Sequence, residues 1–422
     1  MNNYLIIVLS AYIFVVIAGY WLDYLNLSHL KKHGDKIPPD FEGYIDQELL
    51  NKTQRYVIEN TKFNFVSSLF HNAILLAFLF GGLLDSYNSW IASLKVPFIV
   101  SGLVFFLILL YADTVLMIPF KLYHTFVIEN KYGFTTTTMK LWITDLWKSL
   151  LITTIMVSFI IATGFFIVQA SPGLWWFWIW CFFLLFSILM MYIFPYVIAP
   201  LFNTFTPVED ESLQKGIREL MQKVGIKVKS VFQMDASKRT KHTNAYFTGI
   251  GKVKRIVLYD TLIGQMEKDE IIAVLAHEAG HWKKKHLMKH LIVSEIIAII
   301  VMFISFNIMQ KEGLIQLFQL KESTFFAKIV IIGFLGSIAA FPFSPLSHYF
   351  SRKHEYEADA FSYEMTKDNK SMINMLVKLS KDNLSNLYPH PLYAAFHYSH
   401  PPILERIQSI RRKKNKELID SS

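Results

Sequence analysis

The chain has 422 residues, 53 % hydrophobic and only 18 % charged, with 36 Phe and 9 Trp. A soluble domain carries roughly 25 % charged residues, so this composition excludes an ordinary soluble fold and points to lipid. The single cysteine, Cys181, excludes an intramolecular disulfide and any Cys-based metal site, while the formal charge of +9 suits either nucleic acid or the basic loops of a membrane protein.

A bilayer core needs about 20 mostly apolar residues in helical form. Seven runs meet that need: residues 4–22, 63–84, 96–120, 149–168, 173–198, 291–310 and 329–350. The fold class expected is therefore an α-helical multi-pass membrane protein. Ser171-Pro172-Gly173 reads as a tight turn between spans four and five. The first run reads as a span and not a cleavable signal, since no Lys or Arg precedes it and no A-x-A site follows.

The basic residues choose the orientation. Loops 23–62, 121–148 and 199–290 and the tail 351–422 hold 38 Lys and Arg, against 4 in the intervening loops. By the positive-inside rule the first set is cytoplasmic. The N-terminus is then outside and the C-terminus inside. This accounts for Lys283-Lys284-Lys285 and Arg411-Arg412-Lys413-Lys414 as solvated or lipid-headgroup faces. Lipid is thus an expected partner and nucleic acid is not. Asp113 and Glu295 fall inside spans, where carboxylates are costly, so each is expected to face protein or water.

The chain divides into four parts on this reading. Residues 1–198 form an N-terminal membrane region of five spans, and 199–290 a cytoplasmic catalytic segment. Residues 291–350 hold spans six and seven, and 351–422 a C-terminal cytoplasmic part. Within the catalytic segment, Glu209–Val224 has Leu213, Ile217, Leu220, Met221 and Val224 at helical spacing, and Gly225 ends it. Three strand-like stretches follow, Val228–Met234, Ala245–Gly249 and Lys254–Tyr259. Lys268 to about His290 reads as one long helix leading into span six.

That helix carries Ala276-His277-Glu278-Ala279-Gly280-His281. Histidines at i and i+4 share one helical face, so both imidazoles reach one ion. Glu278 is offset around the helix, where it can meet a water on the metal instead of the metal itself. Two surface histidines on a helix are the bland alternative; the apolar Ile271, Ile272, Val274 and Leu275 just before them weaken it. Catalytic zinc needs a third protein ligand and an open position. Ser351-Arg352-Lys353-His354-Glu355-Tyr356-Glu357-Ala358-Asp359-Ala360 supplies candidates where span seven returns to the same side. Spacing alone divides the role among Glu355, Asp359 and Glu357. Glu355 and Asp359 are i and i+4, so one can ligate while the other supports a ligand histidine.

HExxH followed by SRxxExxAD resembles the membrane gluzincin peptidases. Three further stretches narrow this: Thr243-Asn244-Ala245-Tyr246-Phe247-Thr248-Gly249, Tyr398-Ser399-His400-Pro401-Pro402-Ile403-Leu404-Glu405-Arg406, and Thr125-Phe126-Val127-Ile128-Glu129-Asn130-Lys131-Tyr132-Gly133-Phe134. Together they look like the type I CAAX prenyl proteases. The resemblance implies seven helices around a water-filled chamber, capped by a cytoplasmic α+β gluzincin domain. It implies one Zn2+ per chain, held by His277, His281 and Glu355, with Asp359 behind them. Glu278 would be the catalytic base. Asn244 and His400 would contact the substrate backbone or the transition state, and Arg406 is expected to bind substrate.

The implied substrates are C-terminal CAAX peptides or other membrane-associated proteins, prenylated or not. An HtpX-like quality-control protease is the alternative with the same chemistry; seven spans, against about four in that relative, favour the first. A transporter or scaffold with a decayed site is the non-enzyme reading, and the intact Glu278 opposes it. A bacterial cytoplasmic membrane is the first expectation for location, and the endoplasmic reticulum membrane if the host is eukaryotic. The end of the chain, Leu418–Ser422, shows no retrieval signal that would choose between them.

Overall fold

The computed structural model describes residues 3–248 and 253–420. Among the described residues, seven helices are long and apolar enough to cross a membrane: Asn3–His33, Gln47–Phe80, Phe98–Tyr132, Met139–Ala170, Trp175–Phe202, His286–Met309 and Phe325–Thr366. Each contains or overlaps one of the expected runs, and several run well past it. At about 1.5 Å per residue, the 34 residues of Gln47–Phe80 extend roughly 50 Å, whereas the hydrocarbon core needs about 30 Å. Hydropathy marks only the part in lipid, and the helix continues beyond it.

The spans do not pack as a solid bundle. In their apolar windows only 0–17 % of residues are fully buried, the rest being partly buried or exposed. They form a wall around a chamber. The wall closes at the end away from the catalytic segment, where Phe98, Phe105, Phe165 and Phe326 make a ring cluster. Gly102 lies directly under Phe165; a Cβ there would sit 1.9 Å from the ring. Lys328, buried near the start of span seven, reaches Glu312 Oε1 at 3.0 Å and the Met309 carbonyl at 3.3 Å.

At the other end the helical hydrogen-bonding pattern changes before three of the spans leave the wall. Span three passes through a π-helical turn, His124–Glu129. Span five does so at Phe194–Ile198, beside Pro195. Span seven tightens to a 3-10 turn at Phe341–Phe343, around Pro342, then resumes as Ser344–Thr366. Pro removes a helix donor and clashes with the preceding turn, which accounts for the last two.

The catalytic part builds a four-stranded sheet from β1 (Phe205–Pro207), β2 (Lys227–Met234), β3 (Ala245–Thr248) and β4 (Val253–Tyr259), in the order β1-β2-β4-β3. β2 and β4 are parallel, and β1 and β3 are antiparallel edges. β1 is too short to leave a sequence pattern, and Gly249 lies outside the described residues. The amphipathic helix is Glu211–Val224, capped by Asp210, whose carboxylate accepts from the Leu213 N–H at 2.9 Å. Leu213, Ile217, Leu220, Met221 and Val224 are all buried in the main core.

The long helix expected over Lys268–His290 is two helices, Lys268–Lys283 and His286–Met309. Lys285 between them has φ +56°, a left-handed conformation that no α-helix contains. Periodicity is blind to such a break, because both halves are helical on either side of it.

The first of these helices, here the metal helix, lies against Ser344–Thr366. Gly280 faces Ala358, and a Cβ at Gly280 would meet the Ala358 Cα at 3.0 Å and its carbonyl oxygen at 3.2 Å. One turn beyond Ala358, buried Ser362 Oγ donates to the Ala273 carbonyl at 2.9 Å. We expect Gly280→Val to wedge the helices apart, at an overpacking cost of about 1–3 kcal/mol. A lowered melting temperature with reduced metal content is the expected result, and wild-type values of both contradict it.

Candidate metal centre

The metal helix begins with a reciprocal cap. Glu267 and Glu270 exchange side-chain and backbone bonds, and Glu270 also holds Lys378 at 2.7 Å. From there the i, i+4 spacing puts His277 and His281 on the face that meets the neighbouring helix. Their Nε2 atoms are 3.1 Å apart. Glu355 lies opposite, with Oε2 3.3 Å from His277 Nε2 and Oε1 3.2 Å from His281 Nε2.

These separations test whether a metal fits. A tetrahedral ion with bonds of about 2.0–2.1 Å holds its donors about 3.3 Å apart. The imidazole pair sits near that edge, each imidazole has one of the two Glu355 oxygens at a similar distance, and one ligand atom from each residue falls within 4.8 Å of the others. Two imidazole lone pairs and a carboxylate converge here, and buried Glu355 Oε2 has no hydrogen-bond partner among the described residues. The residues fit a small divalent cation.

His277 Nδ1 lies 2.9 Å from Asp359 Oδ1. Asp359 is in turn gripped by Arg406, with Nε–Oδ2 at 2.8 Å and a second guanidinium nitrogen to Oδ1 at 2.6 Å. Both are buried, at 2 % and 8 % exposed. Bidentate pairing of this kind fixes the carboxylate plane. With His277 Nδ1–H donating to Asp359, Nε2 is left bare for the metal.

Burial opposes a charge on His277, but the carboxylates of Asp359 and Glu355 on either side of the ring outweigh it and raise its pKa to about 9. A metal must therefore displace a proton from this ring. Burial also pushes the Glu278 carboxyl up, against the opposing fields of His277 and His281. A raised carboxylate is a stronger base. His400 Nε2 lies 3.5 Å from Glu355 Oε1, and Ser399 Oγ meets its Nδ1 at 2.9 Å. Its side chain keeps 65 % of its surface open, yet enough protein surrounds the ring to favour the neutral form.

The structure thus gathers His277, His281, Glu355, Asp359, Arg406 and His400 around one point, with Glu278 beside His277. Asn244 makes no hydrogen bond to this cluster among the described residues. Its Oδ1 accepts from the Ala245 N–H at 2.8 Å, and its carbonyl from the Tyr259 N–H at 3.0 Å. It stands at the start of edge strand β3. Arg406 departs from the expected substrate contact: its guanidinium is buried and committed to Asp359. Its place on a helix of basic residues gave no sign of that. Of the three candidate carboxylates, Glu357 turns away from the triad toward His286, at 3.1 Å. His286 itself, five residues beyond His281, drew no attention because the helix break that aims it is silent in the sequence.

Two family models match the chain. One is described as CAAX prenyl protease N-terminal, five membrane helices, over residues 26–204. The other is peptidase family M48, over residues 207–414. The chain belongs to peptidase family M48. Among M48 relatives, "CAAX prenyl protease 1 homolog" of Arabidopsis thaliana is 35 % identical, covering 92 % of this chain and 93 % of that one. "CAAX prenyl protease 1" of Saccharomyces cerevisiae is 33 % identical, with 93 % of each covered. The human "CAAX prenyl protease 1 homolog" is 30 % identical, over 90 % of this chain and 89 % of that one. The crystal structure of S. mikatae Ste24p superposes with a TM-score of 0.88 at 31 % identity, covering 97 % of this chain and 99 % of that one. As an M48 member with seven spans, the protein is a multi-pass membrane metallopeptidase.

Two outcomes follow for this M48 site. Metal affinity should fall roughly tenfold per unit as pH drops below about 9, because one proton on His277 competes with the ion; a chelator competition across pH 6–9 reads this at about one proton per metal. Arg406→Ala strips the buried Asp359 charge of its bidentate partner and leaves only His277 beside it, a loss of about 3–5 kcal/mol. The melt should show it with or without substrate. An Arg406→Ala protein with wild-type stability and only a raised KM would return Arg406 to the substrate.

Proposed function

We propose that this protein is a zinc endopeptidase that cleaves near the C-terminus of CAAX-type proteins at the cytoplasmic face of its membrane. The observation that carries the reading is a convergent metal triad in a chain that matches CAAX prenyl protease 1 proteins over nine-tenths of its length. His277, His281 and Glu355 are the assigned zinc ligands, with Asp359 orienting His277. Nitrogen and carboxylate donors in a four-coordinate arrangement suit zinc.

Zinc, when bound, supplies a water acidic enough to lose its proton near neutral pH and polarises the peptide carbonyl. Glu278 takes that proton and returns it to the leaving amine. Its raised basicity and its position beside His277 suit it to both transfers. His400, neutral and open to the chamber, donates Nε2–H to the oxygen that gains charge as the carbonyl is attacked. The substrate lies extended along β3, which among the described residues has a neighbour on one side only, β4. Main-chain bonding to such an edge accepts varied side chains, and Asn244 stands where that strand begins.

The excess of Lys and Arg on the catalytic side supports a cytoplasmic active site. In protein with Cys181 replaced by Ser, an impermeant thiol reagent applied from outside should label Ser93→Cys and leave Lys284→Cys unlabelled. The reverse pattern inverts the topology.

Glu278→Gln should keep one zinc per chain and lose cleavage of a prenylated CAAX peptide; full turnover in the zinc-loaded variant would sink the mechanism. His400→Ala should lower kcat roughly 100- to 1000-fold with zinc retained. Zinc loss in that variant would make His400 a ligand instead. Activity on misfolded membrane proteins with none on CAAX peptides would transfer the assignment to a quality-control protease.

A further inference from the structure

The two ligand imidazoles are backed differently. His277 Nδ1 meets a carboxylate directly, at Asp359. His281 Nδ1 lies instead 3.0 Å from Nδ1 of His286. His286 Nε2 lies 3.1 Å from Glu357 Oε2. His286 is 3 % exposed, and its ring stacks on His354 with centroids 4.1 Å apart and planes 12° apart. His354 Nδ1 is held in turn by His290 Nε2 at 3.1 Å.

One set of tautomers satisfies the whole chain. If His281 gives Nε2 to the metal, its proton is on Nδ1 and must be donated. His286 Nδ1 is the acceptor, so it is bare, and the His286 proton is on Nε2. That N–H faces the Glu357 carboxylate. Each contact is then donor to acceptor, with none frustrated. A histidine buried only for packing has no need of two in-line partners.

We propose that His286 is a positioning residue for the metal centre, accepting from His281 Nδ1–H and donating to Glu357, so that it does for His281 what Asp359 does for His277. The proposal rests on the assignment of His277, His281 and Glu355 as zinc ligands. A hydrogen bond to the outer nitrogen of a ligand imidazole fixes its tautomer and orientation and raises its basicity.

The three carboxylates involved alternate along one helix. Glu355 and Asp359 share a face, while Glu357, roughly 200° around from Glu355, reaches the adjoining element. Ligand and both supports therefore ride on a single rigid body. His286 belongs to the other side of the junction. It is the first residue of span six, turned under the metal helix by the left-handed Lys285. The tilt of span six relative to the metal helix is thereby written into the coordination geometry.

The test uses the purified full-length chain in detergent, with zinc titrated against a chelator of known affinity. His286→Ala should weaken zinc about 10- to 100-fold. His286→Gln should recover most of that, because a carboxamide oxygen and NH2 stand about as far apart as the two ring nitrogens. Glu357→Ala should weaken zinc and add little in the His286→Ala background, as members of one chain do. In cobalt(II)-substituted protein the visible absorption bands should shift in His286→Ala and return in His286→Gln, which a packing role would not produce. Wild-type affinity in His286→Ala, a Gln variant no better than Ala, or fully additive losses would each overturn the proposal. Should His286→Ala fail to fold, wild-type affinity in Glu357→Ala overturns it alone. Failure of the underlying assignment looks different: Glu355→Ala would then keep its zinc.

Discussion

The contact between Gly280 and Ala358 sets the distance on which the rest of the centre depends. Two helices carrying large residues at their crossing stand 8–10 Å apart. Here the smallest residue faces the next smallest, and Glu355, one turn before Ala358, spans to both histidines of the facing helix. Any Cβ at 280 would push the carboxylate back by a few tenths of an ångström, and the three donors would no longer converge on one ion. The Ser362–Ala273 bond and the Asp359–His277 contact lock the same crossing at two more levels.

The catalytic part is fastened to the wall by the cytoplasmic ends of the spans. The Lys241 N–H donates to the Phe134 carbonyl at 2.9 Å, and His242 stacks on the Phe134 ring at 4.3 Å. Arg239 holds Asp145 of span four with two bonds, at 2.7 and 3.0 Å. Glu129, in the π-helical turn of span three, accepts from Tyr56 of span two at 2.7 Å and faces His242 at 3.4 Å. The stretch from Thr125 to Phe134 is thus a buttress, which gives its polar residues a reason to sit where a span leaves the membrane. Arg411 clasps Asp40, tying the C-terminal helix to the first loop.

Long apolar runs announce all seven spans, because burial in lipid demands composition and nothing else. The pairing of His277 with His281 is equally legible, since i, i+4 spacing dictates a shared face whatever surrounds it. The carboxylate partner is harder. Glu355 and Asp359 share a face by the same arithmetic, so spacing cannot rank them; the depth at which the two helices cross does. Arg406 and His286 could not be read at all. One lies 47 residues from the carboxylate it grips, and the other depends on a single left-handed residue in a run of lysines. Long-range pairing and isolated backbone reversals leave no periodic trace.

The wall of the chamber has a mechanical consequence. Its helices meet in a ring of aromatics at one rim and in the catalytic part at the other, with separate pairwise contacts between, such as Tyr12 with Asn72 at 2.9 Å and Tyr111 with Thr154 at 3.0 Å. They behave as staves held by two hoops. A substitution midway along a stave breaks few contacts and costs the assembly little, but it alters the gap between neighbours. Damage at either hoop, by contrast, loosens every stave at once.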